Sequence, residues 1–175
     1  MSGTAGGTRT WAQAMCRPAE AVILDTETTD LYGAIIEVAV IDAATGTTLI
    51  NTLVDPGPIS LNPEAITVHG ITAQQLVGAP TWPQVWPPLA AATAGRRVLA
   101  YNAAYDHAVI AVDCARHHLH PRHLGNIDTW DCLMNRRCAD LEPGHRLALD
   151  GGHRALDDAH AARTVLHQLA AEVAA

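Results

Sequence analysis

The chain has 175 residues and a formal net charge of −7, and 49% of its residues are hydrophobic. This length and composition predict a single domain with a sizeable core, and they exclude a protein that is disordered over most of its length. The negative charge argues against a protein that coats nucleic acid electrostatically, but not against an enzyme that reaches phosphate through metal ions.

The first residues of the chain resemble no targeting signal. MSGTAGGTRT is small and polar, and no apolar run approaches the roughly 20 residues that span a bilayer. The four cysteines form no CxxC pair. We therefore expect a cytoplasmic protein with reduced thiols and no membrane partner. Residues 1–19 are expected to be a flexible segment in which Thr10–Cys16 forms a short helix, and residues 20–175 to be the folded domain.

The first part of this domain is predicted to form three sequential strands. Ala21–Leu24 is a short apolar run, and Ala34–Ile41 and Thr47–Val54 are rich in residues that favour strands. The last two runs are joined by a turn that ends in Gly46, which is typical of a hairpin. Residues 55–63 are rich in proline and are expected to form a loop.

The second part is predicted to alternate helices and strands. Capping-box patterns begin at Thr72 and Thr81, and Pro87 and Pro88 predict that the second of these helices is broken before Gly95. The remaining elements are expected at Arg97–Tyr101 (strand), Ala103–His117 (helix), Ile127 (short strand), Asp131–Ala139 (helix) and Arg154–Ala174 (helix). The predicted fold class is α/β, a mixed sheet of three sequential strands and two more, flanked by helices.

Asp25 and Glu27 follow the first apolar strand. Side chains alternate along a strand, so both acids point to one face and lie roughly 6.5–7 Å apart. Two acids at the end of an apolar strand repel each other unless a cation lies between them, and Mg²⁺ and Mn²⁺ prefer such oxygen ligands. For this pair taken alone, an acidic turn leading to solvent is the alternative.

Two later segments contribute further acids. Asp106 lies one turn into the helix after the fourth strand, where ligands of α/β proteins tend to bind, although a first-turn acid is also common there. In the final helix Asp158 falls on the apolar stripe, whereas Asp157 falls on a more polar face. An inward Asp needs a partner, either a buried Arg or a metal. His153 precedes this helix after two glycines that free its backbone; an exposed loop histidine is the alternative.

In this order the segments resemble the DEDD superfamily of exonucleases, in its histidine subgroup. DTETTD resembles the first motif, D-x-E-T-T-G-L, NAAYD the second, N-x-x-F/Y-D, and HRALDDA the third, H-x-A-x-x-D-A; VHGIT is similar to a segment between the first two. The resemblance implies a ribonuclease H-like fold and a 3′–5′ exonuclease with two Mg²⁺ ions, replaceable by Mn²⁺. It would release nucleoside 5′-monophosphates from 3′ ends of single-stranded DNA or RNA, as a homodimer or with a polymerase partner.

The resemblance also implies roles for individual residues. The metal ligands would be Asp25, Glu27, Asp106 and Asp158, and the general base, an imidazole, would be His153. The substrate-binding residues would be Thr28, Thr29, Leu31, Asn102 and His69, of which the last could equally hold a turn. Asp30 stands where the family has Gly, and the stretch between Asp128 and His153 is short for the family, which bears on the rim of the site.

Other chemistry and other functions remain open at this point. A cluster of Cys114, His117, His118, His120 and His123 could bind zinc, although its irregular spacing fits a solvated helix end better. The alternative functions are a nucleic-acid-binding module without activity and a phosphoesterase for small nucleotides. The full set of four acids and one histidine argues against the binding module.

Overall fold

A five-stranded mixed sheet forms the centre of the molecule, in the strand order β3-β2-β1-β4-β5. The computed structural model describes residues 3–139, 141–142 and 144–171. The strands are β1 (Ala21–Thr28), β2 (Ile35–Asp42), β3 (Thr48–Leu53), β4 (Arg97–Ala100) and β5 (Trp130–Cys132). The first three are antiparallel, and β4 and β5 run parallel to β1. The predicted mixed sheet of three sequential strands and two more is therefore confirmed.

Helices cover both faces of this sheet. They are α1 (Gly3–Met15), α2 (Pro63–His69), α3 (Ala73–Leu76), α4 (Trp82–Thr93), α5 (Ala103–Arg116), α6 (Leu133–Arg137) and α7 (Ala155–Ala171). Residues 172–174 of the predicted final helix lie outside the described residues. Within the described part of the chain, no helix is long and apolar enough to cross a membrane. The four cysteines all lie in this part and are free.

The alternation of side chains along β1 divides the core in two. Val22 and Leu24 pack with α4 and α5 on one face, whereas Ala21 and Ile23 pack with α1 and α7 on the other. Because β1 is the central strand, each face is closed by a helix layer. The same alternation continues past the apolar part of β1. It determines whether a polar side chain at the end of the strand faces α5 or α7.

The N-terminal helix is longer than the sequence predicts. It begins at Gly3, not at Thr10, and Ala12 and Met15 are buried in the core on the α7 side. Packing of an apolar face against another helix stabilises short helices more than local propensity does, and that partner is remote in sequence. The domain boundary expected at residue 20 stays a prediction.

Helix α2 is absent from the sequence-based prediction, although its boundaries carry local signals. The side chain of Asn62 caps it by accepting a hydrogen bond from the Glu64 amide, and Pro63 occupies the first turn. At the other end Gly70 adopts the left-handed conformation (φ 71°) and donates its amide to the Ile66 carbonyl. Asn-Pro at the start and Gly at the end are the signals that identify this helix.

The prediction of a broken helix before Gly95 is wrong, because α4 continues through Pro87 and Pro88. Proline removes a hydrogen bond from a helix interior. Here that cost is offset by burial of one face of the helix, where Trp82, Trp86 and Leu89 are at most 3% exposed.

The prediction of a short strand at Ile127 is also wrong. Ile127–Thr129 form a 3₁₀ turn, Ile127 is 49% exposed, and the strand starts at Trp130. Trp130 supplies the buried anchor, since its indole N–H donates to the Leu124 carbonyl at 3.0 Å. A large aromatic ring with a satisfied polar atom fixes the register of this edge better than an exposed isoleucine does.

We expect Leu166→Ala to lower the free energy of unfolding by about 2–5 kcal/mol, because a fully buried leucine leaves a cavity when it is truncated. Leu166 lies in α7 and is 0% exposed. Urea denaturation followed by circular dichroism measures the change. Gln168→Ala, on the exposed face of the same helix, is the control and should stay within about 0.5 kcal/mol. Equal effects of the two variants would contradict the placement of the α7 core face.

Candidate active site

Three of the four predicted acids meet at the end of β1. Asp25 and Glu27 lie on its α7 side, and Asp158 reaches them from the first turn of α7, so that one oxygen of each lies within 4.8 Å of the others. Within the described residues this is the one group of acids, histidines or cysteines spaced to hold a metal ion. The neighbouring Asp157 is exposed, as the helical periodicity predicts.

Asp106 approaches the same end of β1 from the opposite face. It lies in the first turn of α5 and is 3% exposed, and its Oδ1 accepts a hydrogen bond from the Thr26 hydroxyl at 2.8 Å. Thr26 points to the α5 side because it stands between Asp25 and Glu27 in the alternation of the strand. Asp106 therefore lies beside the three-carboxylate group without belonging to it, and its role as a metal ligand stays a prediction.

Burial and mutual repulsion shift the acidity of these carboxyl groups. Burial, followed by the charges of Asp106 and Glu27, raises the pKa of Asp25 well above its ordinary value. Burial and the charge of Asp158 raise the pKa of Glu27 to about 8. Burial raises the pKa of Asp106 to about 7, although the hydrogen bond from Thr26 acts to lower it. These carboxyl groups cannot all ionise easily without a neighbouring positive charge. Because they offer only oxygen ligands, a hard divalent cation fits the site.

The backbone before α7 wraps closely around Asp158. The His153 amide donates to Asp158 Oδ1 at 3.1 Å, and a Cβ placed on Gly151 would lie only 1.9 Å from that oxygen. Gly151 is required for this close approach, and not for backbone freedom as the sequence analysis expects. The left-handed conformation falls on His153 itself (φ 54°), which is exposed and whose amide contacts Asp158.

An extended segment leads into this turn. Between α6 and α7 the described residues contain no further helix or strand, in line with the short stretch seen in the sequence. The Tyr101 hydroxyl donates to the Leu147 carbonyl at 2.9 Å, and Arg137 donates to that hydroxyl and to the Ala148 carbonyl. These bonds tie the rim of the site to β4 and α6.

Glu37 is the main residue of the site that the sequence analysis misses. It lies on β2 directly opposite Glu27 and is 3% exposed. Its carboxylate accepts hydrogen bonds from the Arg154 guanidinium and from the amide of Ala155, the first residue of α7. A single acid in the apolar run AIIEVAVI is a sequence signal for such a role, because a buried charge requires partners.

The polar groups of Thr28 and Thr29 are used within the protein. The Thr28 hydroxyl lies 2.8 Å from the Asp30 carbonyl and 2.6 Å from the Tyr105 hydroxyl. The Thr29 amide donates to the Ala34 carbonyl, and its own carbonyl accepts from the amide of Asn62. The loop after β1 is thus held rigidly, and its contact with a nucleotide stays a prediction.

This loop exposes apolar side chains next to the acids. Leu31 is 74% exposed and Tyr32 is 56% exposed, and the Tyr32 ring packs on Tyr105 with 5.4 Å between ring centroids. Asp30 is not left-handed; its Oδ1 instead accepts the Leu31 amide at 2.7 Å, and the left-handed residue is Tyr32 (φ 59°). Gly33 is required, since its Cβ would lie 2.3 Å from the Thr29 hydroxyl.

The other two predicted substrate-binding residues differ in exposure. Asn102 is exposed at the N-terminus of α5, and its side chain makes no capping hydrogen bond. His69 is 5% exposed at the end of α2, and its Nδ1 accepts the Ile71 amide at 2.9 Å. His69 therefore holds a turn, the alternative that the sequence left open, and substrate contact by either residue stays a prediction.

The histidine-rich segment after α5 is not gathered into a metal site among the described residues. Cys114 is fully buried, and burial raises the pKa of its thiol to about 11, which disfavours the thiolate that zinc requires. His123 lies 2.9 Å from the Thr93 hydroxyl, and His120 accepts the Arg122 amide. These contacts engage His120 and His123 within the protein, and whether the segment binds zinc stays open.

Comparison with known proteins places these features in a family context. The sequence model described as exonuclease matches residues 22–166. A curated protein, an uncharacterized exonuclease of Escherichia phage 186, is 40% identical over 88 residues, which are 49% of this chain and 44% of the phage protein. The chain thus spans less than half the length of that relative.

Solved structures share the fold over most of the chain. Exonuclease X in complex with 5′ overhanging duplex DNA is 26% identical with a TM-score of 0.60, covering 88% of this chain and 95% of its own. The nuclease domain of 3′hExo, a DEDDh family member bound to rAMP, is 21% identical with a TM-score of 0.59, covering 87% and 92%. The second likeness concerns the fold alone.

The metal-free protein should lose thermal stability as the pH rises. A carboxyl whose pKa is raised on folding stabilises the fold below its unfolded pKa, and this stability is lost as the pH rises through the folded pKa. For Glu27 that window extends from 4.5 to about 8. We expect the midpoint of thermal unfolding in EDTA to fall between about pH 5 and about pH 8, and Glu27→Gln to flatten the curve.

Two controls accompany this measurement. Glu64→Gln removes an exposed acid of α2 and should leave the pH dependence as it is. Saturating Mn²⁺ should remove the loss at high pH, because metal binding favours the ionised carboxylates. A midpoint that is constant across the window in EDTA would contradict the raised pKa values of the carboxyl groups in the site.

Gly151→Ala should weaken divalent-metal binding while the fold is retained, since its Cβ would overlap Asp158 Oδ1. Calorimetric titration with Mn²⁺ measures the affinity, and we expect a loss of about 10–100-fold, as for other partners that orient metal ligands. Gly7→Ala is the matched control, because a Cβ on Gly7 meets no atom within 4 Å. Unchanged Mn²⁺ affinity in Gly151→Ala would show that this backbone does not hold Asp158 in place.

Proposed function

Because this chain belongs to the exonuclease family, we propose that it is a metal-dependent 3′–5′ exonuclease. It shortens single-stranded DNA or RNA from the 3′ end and releases nucleoside 5′-monophosphates. The observation that carries this proposal is the group of Asp25, Glu27 and Asp158 at the end of the central strand, with the exposed His153 beside it. The duplex DNA bound by Exonuclease X supports a nucleic-acid substrate.

The proposed cofactor is a pair of Mg²⁺ ions, for which Mn²⁺ can substitute. Asp25, Glu27 and Asp158 would hold them, with Asp106 contributing from the opposite face of β1. When bound, the ions stabilise charge on the phosphodiester and lower the pKa of a water molecule. The hard oxygen donors and the unneutralised negative charge of the site support magnesium over zinc, which prefers nitrogen and sulfur ligands.

His153 acts as the general base in this proposal. Its exposed imidazole takes the proton from the attacking water and passes it to solvent. The hydrogen bond between its own amide and Asp158 Oδ1 fixes the backbone from which the ring projects. The base and a metal ligand are therefore set by the same turn of chain.

The loop after β1 receives the terminal nucleotide. The exposed Leu31 packs against the terminal base, while the chain at Thr28 and Thr29 and the side chain of Asn102 orient the strand. The hydrogen bonds that hold this loop in the absence of substrate lower the conformational entropy lost on binding.

Asp25→Ala or Asp158→Ala should abolish exonuclease activity and leave the fold intact, because each removes one carboxylate from the three-carboxylate group. The assay is a time course on 5′-labelled single-stranded DNA and RNA of one sequence, run side by side with Mg²⁺, Mn²⁺ or EDTA. We expect stepwise shortening with either metal, none in EDTA, and a rate loss of at least about 10³-fold in the variants. Asp157→Ala, the exposed neighbour on α7, is the matched control and should remain active.

The same assay separates the other functions. Binding of the oligonucleotide without cleavage would indicate a binding module, and hydrolysis of free nucleotides alone would indicate a small-nucleotide phosphoesterase. Near-normal turnover by Asp158→Ala would overturn the assignment of the site. A duplex with a 5′ overhang, like the DNA bound by Exonuclease X, tests whether a paired 3′ end is also accepted.

A further inference from the structure

An ion pair with a buried carboxylate joins β2 to the start of α7. Arg154 donates from Nε to Glu37 Oε2 at 3.0 Å and from Nη2 to Oε1 at 2.5 Å, the two-bond geometry that an arginine fork forms with a carboxylate. The Ala155 amide donates to Oε2 at 2.9 Å. The Glu37 side chain is 4% exposed and that of Arg154 is 39% exposed, so the carboxylate is the enclosed partner.

This pair meets α7 at the turn that carries both functional groups. Arg154 and Ala155 directly follow His153, and the Asp158 amide donates to the Arg154 carbonyl at 2.9 Å as the first helical bond. The His153 amide closes the turn on Asp158 Oδ1. A shift of the Arg154–Ala155 backbone would therefore move the proposed base and a proposed metal ligand together.

The second anchor of α7 lies far from this turn. Arg163 donates to the carbonyls of Ala43 and Ala44 at 3.0 and 2.6 Å, which ties the helix to the turn after β2. Nine residues separate Arg163 from Arg154 in the sequence, which is roughly 13 Å of helix. This anchor holds the middle of α7 and leaves its first turn to Glu37.

The position of Glu37 across the sheet links that turn to the other ligands. Glu37 pairs in register with Glu27, and both side chains are on the α7 face. The backbone hydrogen bonds between β1 and β2 therefore connect the strand that bears Asp25 and Glu27 to the strand whose Glu37 side chain holds α7. Since Glu37 and Arg154 carry opposite charges, the pair fixes this geometry with little change in the net charge around the acids.

We propose that Glu37 and Arg154 are positioning residues, whose ion pair sets the first turn of α7 and thereby places His153 and Asp158 against Asp25 and Glu27. This inference rests on the proposed exonuclease function for its kinetic consequence. Its structural consequence, the order of the first turn of α7, is independent of activity.

The kinetic test compares Glu37→Gln and Arg154→Gln on a 5′-labelled single-stranded oligonucleotide with Mg²⁺. Loss of positioning should lower kcat in both variants by about 10–100-fold, with KM changed by less than about 3-fold. An electrostatic role would instead shift the Mg²⁺ half-saturation in opposite directions, because one variant removes a negative and the other a positive charge. The double variant should be no slower than the slower single variant, since both remove one interaction.

Matched controls separate positioning from stability. Asp42→Asn removes the carboxylate of another ion pair of β2, with Arg96 at 3.1 Å, at the end of the strand away from the acids. Arg163→Gln removes the other arginine anchor of α7. Both controls should lower the midpoint of thermal unfolding without lowering kcat more than about 2-fold. Arg154→Lys, which keeps the charge and loses the fork, should recover part of the kcat lost in Arg154→Gln.

Hydrogen exchange of the metal-free protein gives a readout that needs no activity. The amides of His153 and Ala155 should exchange faster in Glu37→Gln and Arg154→Gln than in the unaltered protein, while that of Leu166 in the middle of α7 should not change. Because Arg154 is partly exposed, Arg154→Gln provides this comparison even where Glu37→Gln fails to fold.

The outcomes distinguish this inference from the proposed function. If the unaltered protein shortens oligonucleotides but both variants keep its kcat and its exchange pattern, the positioning role is wrong. Changes of kcat in opposite directions in the two variants would also overturn it. If the unaltered protein has no nuclease activity while the variants loosen the first turn of α7, the exonuclease assignment fails and the positioning role stands.

Discussion

Repulsion among carboxylates at one end of β1 is the constraint around which the site is arranged. Asp25, Glu27 and Asp158 have oxygens within 4.8 Å of one another, and their partial burial limits screening by water. The fold relieves this repulsion only in part with arginine, because Arg154 is engaged by Glu37 and its charge offsets only some of the effect of burial and of the neighbouring acids on the pKa of Glu27. It holds the acids in place by packing and hydrogen bonds, and it leaves a negative site that a divalent cation neutralises. A site that depends on a cation in this way is well suited to chemistry on phosphodiesters.

The alternation of β1 explains how a single strand supplies both sides of this site. Asp25 and Glu27 continue the face of Ala21 and Ile23 and meet α7, whereas Thr26 continues the face of Val22 and Leu24 and meets Asp106 of α5. A helix on each face of a central strand can therefore bring an acid to the same strand end. The two helices differ in how they are held there: Asp106 by a hydroxyl of β1, and Asp158 by the backbone around Gly151 and by the Glu37 pair.

Local patterns predicted what depends on local geometry. The helical period identified Asp158 and not Asp157 as the inward acid, and alternation predicted that Asp25 and Glu27 share a face. Patterns failed where a partner is distant in sequence: Glu37 meets Arg154 across 117 residues, and no spacing rule connects them. The loop after β1 also lay beyond local patterns. Its left-handed residue is Tyr32, and the side chain of Asp30, which stands where the family has Gly, accepts the Leu31 amide.

Several arginines of this acidic protein are used within the fold. Arg97 pairs with Asp131, Arg137 binds the Tyr101 hydroxyl and a carbonyl, and Arg163 binds two carbonyls at the turn after β2. These guanidinium groups serve the fold and are not arranged along a groove for phosphates, as in proteins that coat a strand. For the proposed exonuclease, bound cations and the exposed Leu31 and Tyr32 contribute attraction to the substrate. In this proposal the terminal nucleotide presents its base to this loop and its phosphodiester to the acids, which favours the end of a strand over its interior.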